Sequence, residues 1–272
     1  MPAEPGRIAP VREIPREVSR ALRWLFTDID DTLTTDGLLL GHSFSALWRL
    51  HDSGIAIVPV TGRPSGWCDH IARMWPVAGV IGENGAFSFC YDRSARKMRR
   101  RWLQDETERL QGTRRLEAVR ARVLAEVPGS AVAADQAFRS ADLAIDFRED
   151  VVPLPPEAVR RICEIAREEG ATCKVSSIHV NCWYGSYSKV TGVERFLLEA
   201  APGGLDAHQG CIAFCGDSPN DEPLFERLRT TVAVANIGPF LAGLDHLPRY
   251  ITVAPGGLGF AELADALLDA RR

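Results

Sequence analysis

No apolar run in the 272-residue chain approaches the roughly 18 residues that a bilayer-spanning helix needs, so the sequence holds no transmembrane helix. The first 20 residues carry prolines and charges but no apolar signal-peptide core. They read as a loosely held lead-in to a cytoplasmic protein. A broad basic field is also missing. There are 32 Lys and Arg against 36 Asp and Glu, a formal net charge of -4, which excludes nucleic acid and membrane surfaces as expected partners. The seven cysteines form no CxxC pair and no Cys/His group with zinc-site spacing. An odd number placed singly reads as small core residues in a reducing compartment. Internal repeats and low-complexity tracts are absent too. What is present is ordinary for a globular protein, 46% apolar and 25% charged. The length suits one large domain or two modest ones.

The apolar runs are short and continuous, the mark of strands buried on both faces. Strands are expected over 22–27, 55–60 and 77–81, with helices over 43–51 and 67–75 between them. This β-α-β-α-β order implies a parallel sheet with right-handed crossovers. After "GENGA" (82–86) the pattern changes. A strand over 86–91 is followed by a basic stretch, RSARKMRRRW, which reads as a solvated hairpin. Then come a long charged helix over 104–127, a strand over 141–147, a helix over 155–169, and strands over 171–176 and 179–184. The first pattern resumes with a helix over 190–200, strands over 211–215, 231–236 and 250–253, and helices over 222–228 and 259–270. The expected architecture is α/β, a Rossmann-like doubly wound parallel sheet core (21–85 and 186–272) with an inserted α+β cap domain (86–185), preceded by the lead-in (1–20).

"FTDIDDT" (26–32) crowds three aspartates at the carboxyl end of the first strand. Strand side chains alternate, so Asp28 and Asp30 can face the same way. Open α/β sheets bind ligands at that end, where strand order reverses. Two carboxylates there need a cation or a retained proton; the structural alternative is a helix cap or Asx turn. "GDSPND" (216–221) is a second acidic turn after a second buried strand. Ser218 capping a helix that starts at Pro219 explains most of it. Asp217 is the exception, at the strand mouth beside Asp28 and Asp30. Three carboxylates converging from distant positions call for a hard divalent ion such as Mg²⁺. "VTGR" (60–63) supplies the Thr61 hydroxyl and the Gly62 amide, read as an anion site at a helix N-terminus. Lys189 stands where the chain returns from the insert.

Asp-x-Asp-x-Thr (Asp28, Asp30, Thr32), Thr61-Gly62-Arg63, Lys189, and Gly216-Asp217 with Asn220-Asp221 resemble, in order, the four motifs of the haloacid dehalogenase superfamily. The insert lies between the second and third motifs, which resembles the Cof-like phosphatases with a large α/β cap (type IIB). "GENGA" and "TVAVAN" (231–236) add to that similarity, which covers the chain from about residue 24 onward. "SSIHVNCWYGSYSK" (176–189) resembles, more loosely, members that hydrolyse sugar phosphates.

The resemblance implies a Mg²⁺-dependent phosphatase, a phosphomonoester hydrolase. Asp28 is the nucleophile, forming an aspartyl-phosphate, and Asp30 is the general acid and base. Mg²⁺ is held by Asp28, the Asp30 carbonyl and Asp217, with Asn220 and Asp221 orienting its waters or Lys189. Thr61, Gly62 and Lys189 hold phosphate. The substrate implied is a sugar phosphate or similar small phosphorylated metabolite, and the protein a monomer or homodimer. Arg63, Asn84, His179 and Asn181 are the expected specificity residues. His179 reads equally as a satisfied hairpin histidine, and Trp183 and Tyr184 either line the sugar site or belong to the cap core. The alternative activity is a phosphosugar mutase or phosphotransferase on the same scaffold. A dehalogenase needs neither Asp30 nor Asp217. A receiver domain is about half this length and has no cap.

Overall fold

The computed structural model describes residues 7–271. The central sheet has six strands, all paired in parallel. Their order is Ala9–Pro10, Tyr250–Ile251, Thr230–Ala233, Ile212–Gly216, Trp24–Thr27, Ala56–Pro59. The continuous apolar runs have a direct cause. Leu25, Ile57 and Ala213 enter one apolar cluster, while their neighbours Phe26, Val58 and Phe214 enter another. Every residue of such a strand faces core. Helices Gly41–Asp52, Ser65–Met74 and Gly256–Asp269 close the first face, and Lys189–Ala200 and Glu222–Arg227 the second. From Trp24–Thr27 the chain moves to one side for Ala56–Pro59, and to the other for Ile212–Gly216 and the strands beyond it. The strand order therefore reverses between Trp24–Thr27 and Ile212–Gly216, which opens a ligand crevice at their carboxyl ends.

Three expectations need correction. The segment read as a loose lead-in is packed. Ala9–Pro10 pairs with Tyr250–Ile251, helix Arg16–Ala21 follows, and Val11 and Ile14 are buried in the core. Spaced apolar side chains cover the last strand's edge there; residues 1–6 lie outside the described residues. The third strand is only Val80–Gly82. It meets the parallel sheet through the single Val60–Ile81 bridge and continues into an antiparallel hairpin, Phe87–Asp92 with Lys97–Trp102. The basic residues of that hairpin are exposed, as read. However, Phe87 and Phe89 pack in the core cluster, so the hairpin extends the core although it was assigned to the cap from residue 86.

The insert's own apolar cluster runs from Leu116 to Tyr184. Its antiparallel sheet is ordered Ala131–Val132, Asp142–Asp146, His179–Trp183, Thr172–Val175, backed by helices Glu106–Glu126 and Pro156–Glu168. Val180 and Cys182 face those helices, so His179 and Asn181 share the opposite face with Asp142 and Asp146. Gly85, where the chain leaves the core, has φ +108°, and a Cβ there would lie 2.0 Å from the Ser188 carbonyl oxygen where it returns. Only glycine fits that crossing. Among the described residues no helix is long and apolar enough to cross a membrane.

Candidate active site

The two acidic segments meet at the strand-order reversal. The Asp28 amide donates to the Cys215 carbonyl at 2.9 Å, which sets Asp28 beside the turn carrying Asp217. Carboxylate oxygens of Asp28, Asp217 and Asp221 lie within 4.8 Å of one another, all three side chains buried. Lys189, also buried, donates to Asp28 at 2.8 Å and to Asp221 at 2.7 Å, and reaches Asn220 Oδ1 at 3.4 Å. The Thr32 hydroxyl donates to Asp217 at 2.8 Å, and the Asn236 amide at 3.3 Å. The other Asp221 oxygen accepts the Asp217 and Ser218 amides, so Asp221 shapes its own turn as well as holding Lys189.

Burial pushes the Asp28 carboxyl up to about 7, against the pull of Lys189 and with the push of Asp221 and Asp30. Burial and the same crowding hold Asp217 well above the carboxylate range. Lys189 goes the other way from its burial. Asp221 and Asp28 outweigh desolvation and hold its ammonium firmly charged. Fully ionised, the three buried carboxylates would face one ammonium and carry two negative charges in excess, which adds to burial in raising Asp28 and Asp217. An all-oxygen donor set with that excess fits Mg²⁺.

The Asp30 carboxylate is not in this cluster. Arg63 holds it in a two-point grip, Nε at 3.0 Å and Nη2 at 2.8 Å from Oδ1. The same guanidinium donates to Glu149 of the cap at 2.9 Å and stacks on Trp67 at 4.4 Å. His179 Nε2 stands 2.9 Å from the other Glu149 oxygen but off the line of a hydrogen bond, so Arg63 is the firm partner. The nearby His179 ring and the Arg63 guanidinium hold the Glu149 carboxyl down at about 2. Arg63, placed among specificity residues from the sequence, is thus engaged with the core's second aspartate and with the cap at once.

The phosphate-site candidates differ in one respect from expectation. Gly62 is not in the first turn of a helix. The helix starts at Ser65, and its first amide is taken by the Glu83 carboxylate at 3.0 Å, an internal anion where a ligand was expected. The Thr61 hydroxyl accepts the Arg63 amide at 3.0 Å, which leaves its own proton to donate. A side chain at Gly62 would come within 3.3 Å of the Asn84 and Asn181 amides. Asn181 donates to Asp142 at 3.0 Å. Asn84 is buried, sits at φ +56°, and its Nδ2 has no partner, although buried donors are almost always paired. Trp183 stacks on Tyr187 in the core cluster and Tyr184 belongs to the cap cluster, so both are structural.

Glu83, inside "GENGA", was not singled out from the sequence. Its carboxylate also accepts the amides of Ser140 at 2.9 Å, Ala141 at 2.6 Å and Asp142 at 3.2 Å, joining core to cap. Arg139 completes the joint by donating to the Gly62 carbonyl at 2.9 Å. The only local signal was a lone acid among glycines. Asn236 closes the "TVAVAN" stretch but was not singled out, Arg139 sits between two nearby aspartates, Asp135 and Asp142, that look like ordinary surface charge, and Glu149 had no signal, since its partners are remote in sequence. Burial first, then Asp142, raises the Glu83 carboxyl to about 8 against 4.5 in an unfolded chain. The folded state therefore binds the extra proton between these values, and stability falls as pH rises through that window. Glu83→Gln turns an NH₂ group toward the Ala141 and Asp142 amides, a loss of about 1–3 kcal/mol. We expect thermal melts to show the wild type's advantage over this variant largest near pH 5 and shrinking toward pH 9.

No family model matches the chain, and no curated protein matches it. Solved structures do. The C-terminal domain of Candida albicans trehalose-6-phosphate phosphatase superposes with a TM-score of 0.72 at 15% identity, covering 96% of this chain and 98% of that one. A haloacid dehalogenase-like hydrolase from Bacteroides thetaiotaomicron gives 0.61 at 16% identity, covering 90% and 98%. The chain has the haloacid dehalogenase fold. The sucrose-phosphatase of a Synechocystis species, solved with sucrose and phosphate, gives 0.62 at 16%, covering 92% and 98%. The likeness spans both the parallel core and the cap, the arrangement that the Cof-like resemblance implied.

Proposed function

We propose that the chain is a cytoplasmic, Mg²⁺-dependent phosphomonoester hydrolase that works through an aspartyl-phosphate on a sugar phosphate or similar small metabolite. The observation that carries this reading is the buried Asp28–Lys189–Asp217 cluster at the strand-order reversal, beneath a cap. A carboxylate and an ammonium placed 2.8 Å apart suit attack on phosphorus, with Lys189 countering charge on the transferring oxygens. Asp28 bonds to phosphorus as the bond to the leaving oxygen breaks. Asp30 protonates that oxygen, then takes a proton from the water that cleaves the acyl phosphate and frees Asp28. Arg63 must release Asp30 for either transfer, so the Arg63–Asp30–Glu149 contact is read as the resting arrangement. Asp28, Asp217 and the Asp30 carbonyl would hold Mg²⁺, with Asn220 and Asp221 in support; the ion supplies charge screening between nucleophile and phosphate. Thr61, Gly62 and the unpaired Asn84 amide are the phosphate and substrate contacts, and His179 and Asn181 the cap's polar contribution.

The test is a panel of sugar, nucleotide and glycerol phosphates assayed for released phosphate. Turnover should require Mg²⁺, vanish with a chelator and return on adding the ion back. Mg²⁺ should stabilise the fold by about 2.7 kcal/mol at a hundredfold excess over Kd, read as a higher melting temperature. A retained, isomerised sugar phosphate would assign a mutase in place of the hydrolase.

A further inference from the structure

The cleft between Asp28, Asp30 and the cap strand His179–Trp183 has a volume of about 10 Å³, which leaves no room for a leaving group. A second cavity of about 590 Å³ adjoins it, sharing Asp30 and Arg63 in its wall. That is the size of ligand sites generally. It lies between the loop after the first strand, helix Ser65–Met74 and the cap residue Phe138. Its body is apolar: Leu39, Ile71, Trp67, Trp75 and Phe138. Trp67 is 44% and Phe138 57% exposed, large rings of the cavity wall left open to solvent. Of the wall's four polar side chains, Asp30 and Arg63 sit at the end next to the reacting oxygen and the Thr34 hydroxyl donates to the Ile29 carbonyl, which leaves His70 as the one polar side chain along the apolar body. A polyol would find few partners in it.

We infer that this cavity receives the leaving-group end of the substrate and narrows the hydrolase reading from sugar phosphates to the other small metabolites it allows, phosphomonoesters of an alcohol carrying an apolar ring. The inference rests on the hydrolase reading in one respect, that the leaving oxygen is protonated by Asp30. The group attached to that oxygen must then lie beside Asp30, and this cavity is the substrate-sized space with Asp30 in its wall. The cap contributes one side through Phe138, whose carbonyl accepts the Ser65 hydroxyl at 2.9 Å. The cap therefore completes the ring site.

Three esters of primary alcohols separate this from plain sugar-phosphate selection, because their leaving groups are alike: ethyl phosphate, 2-phenylethyl phosphate and a hexose 6-phosphate. The phenylethyl ester should exceed both others in kcat/KM by roughly 10- to 100-fold. Phe138→Ala should bring its ratio to the ethyl ester close to one, and Phe138→Leu should keep most of it. Phe138 is the residue to change because Trp67 also backs Arg63, and circular dichroism checks the fold. Equal kcat/KM for the phenylethyl and ethyl esters, a preference for the hexose ester, or an Ala variant with an unaltered ratio would overturn the inference. If no ester releases phosphate, the hydrolase reading falls, and binding decides the cavity by itself. Tryptophan fluorescence should then saturate on titration with 2-phenylethanol, with Kd raised at least fivefold in Phe138→Ala. A linear, unsaturable response overturns it.

Discussion

Asp28→Asn should give a folded protein that no longer releases phosphate from an aryl phosphate in Mg²⁺, a loss of several powers of ten, as removal of a nucleophile does in other enzymes. The amide keeps the size and one oxygen of the carboxyl, so the Ile29 amide that donates to Asp28 at 2.8 Å keeps its acceptor. It loses the charge that pairs with Lys189, and it also removes one of three crowded carboxylates. These effects on stability oppose each other, and the melting temperature should move far less than the rate. Unaltered turnover by a folded Asp28→Asn protein would remove Asp28 from the mechanism.

Lys189→Met should be the most damaging change to stability in the site. The ammonium is the partner of Asp28 and Asp221, and all three groups are buried. Breaking a buried pair by deleting one member costs about 3–5 kcal/mol, because the other charge is left uncompensated. At about 2–4 °C per kcal/mol for a chain of this size, melting should fall by roughly 6–20 °C. The pH dependence has a defined sign. Asp28 already titrates near 7 folded against 3.8 unfolded, so its contribution is present below 3.8 and is lost as pH rises through 7. Without Lys189 the folded value climbs further, and the loss extends above pH 7. Chelated samples melted at pH 5 and pH 8 should show the variant's deficit larger at pH 8. A deficit independent of pH would mean that Lys189 stabilises by packing alone. Activity should fall with stability, but Mg²⁺, which relieves the same excess of negative charge, should recover part of the melting temperature without restoring the rate.

Much of the core was legible in the chain because its signals are local. Continuous apolar runs such as "CIAFC" (211–215) arise from strands covered on both faces, and Leu25 and Phe26 do enter opposite clusters. Asp28 and Asp217 follow two such runs, so a parallel sheet with a reversal between them puts the two turns together. Other features were not legible. The segment 9–20 looked polar and broken by prolines, yet a two-residue strand suffices to cover an edge, and two residues carry no period. The hairpin from Phe87 was assigned to the cap on its charges, although its apolar residues Phe87 and Phe89 pack in the core. Asp30 and Arg63 were each singled out, but not as partners. Glu83 and Glu149 were passed over because an acidic side chain has no signature until its partner's position is known.

Taken by itself, the order of residues determined the class of fold, the insertion of a cap and the meeting of the acidic turns, because strand burial and turn chemistry act over a few neighbours. Tertiary structure alone decided how the charges pair: Arg63 with Asp30 and with Glu149, 86 positions away, and Glu83 with the cap loop. Charge pairing depends on distances of a few ångströms between segments that only the packing of cap on core brings together, and no periodicity along the chain encodes that.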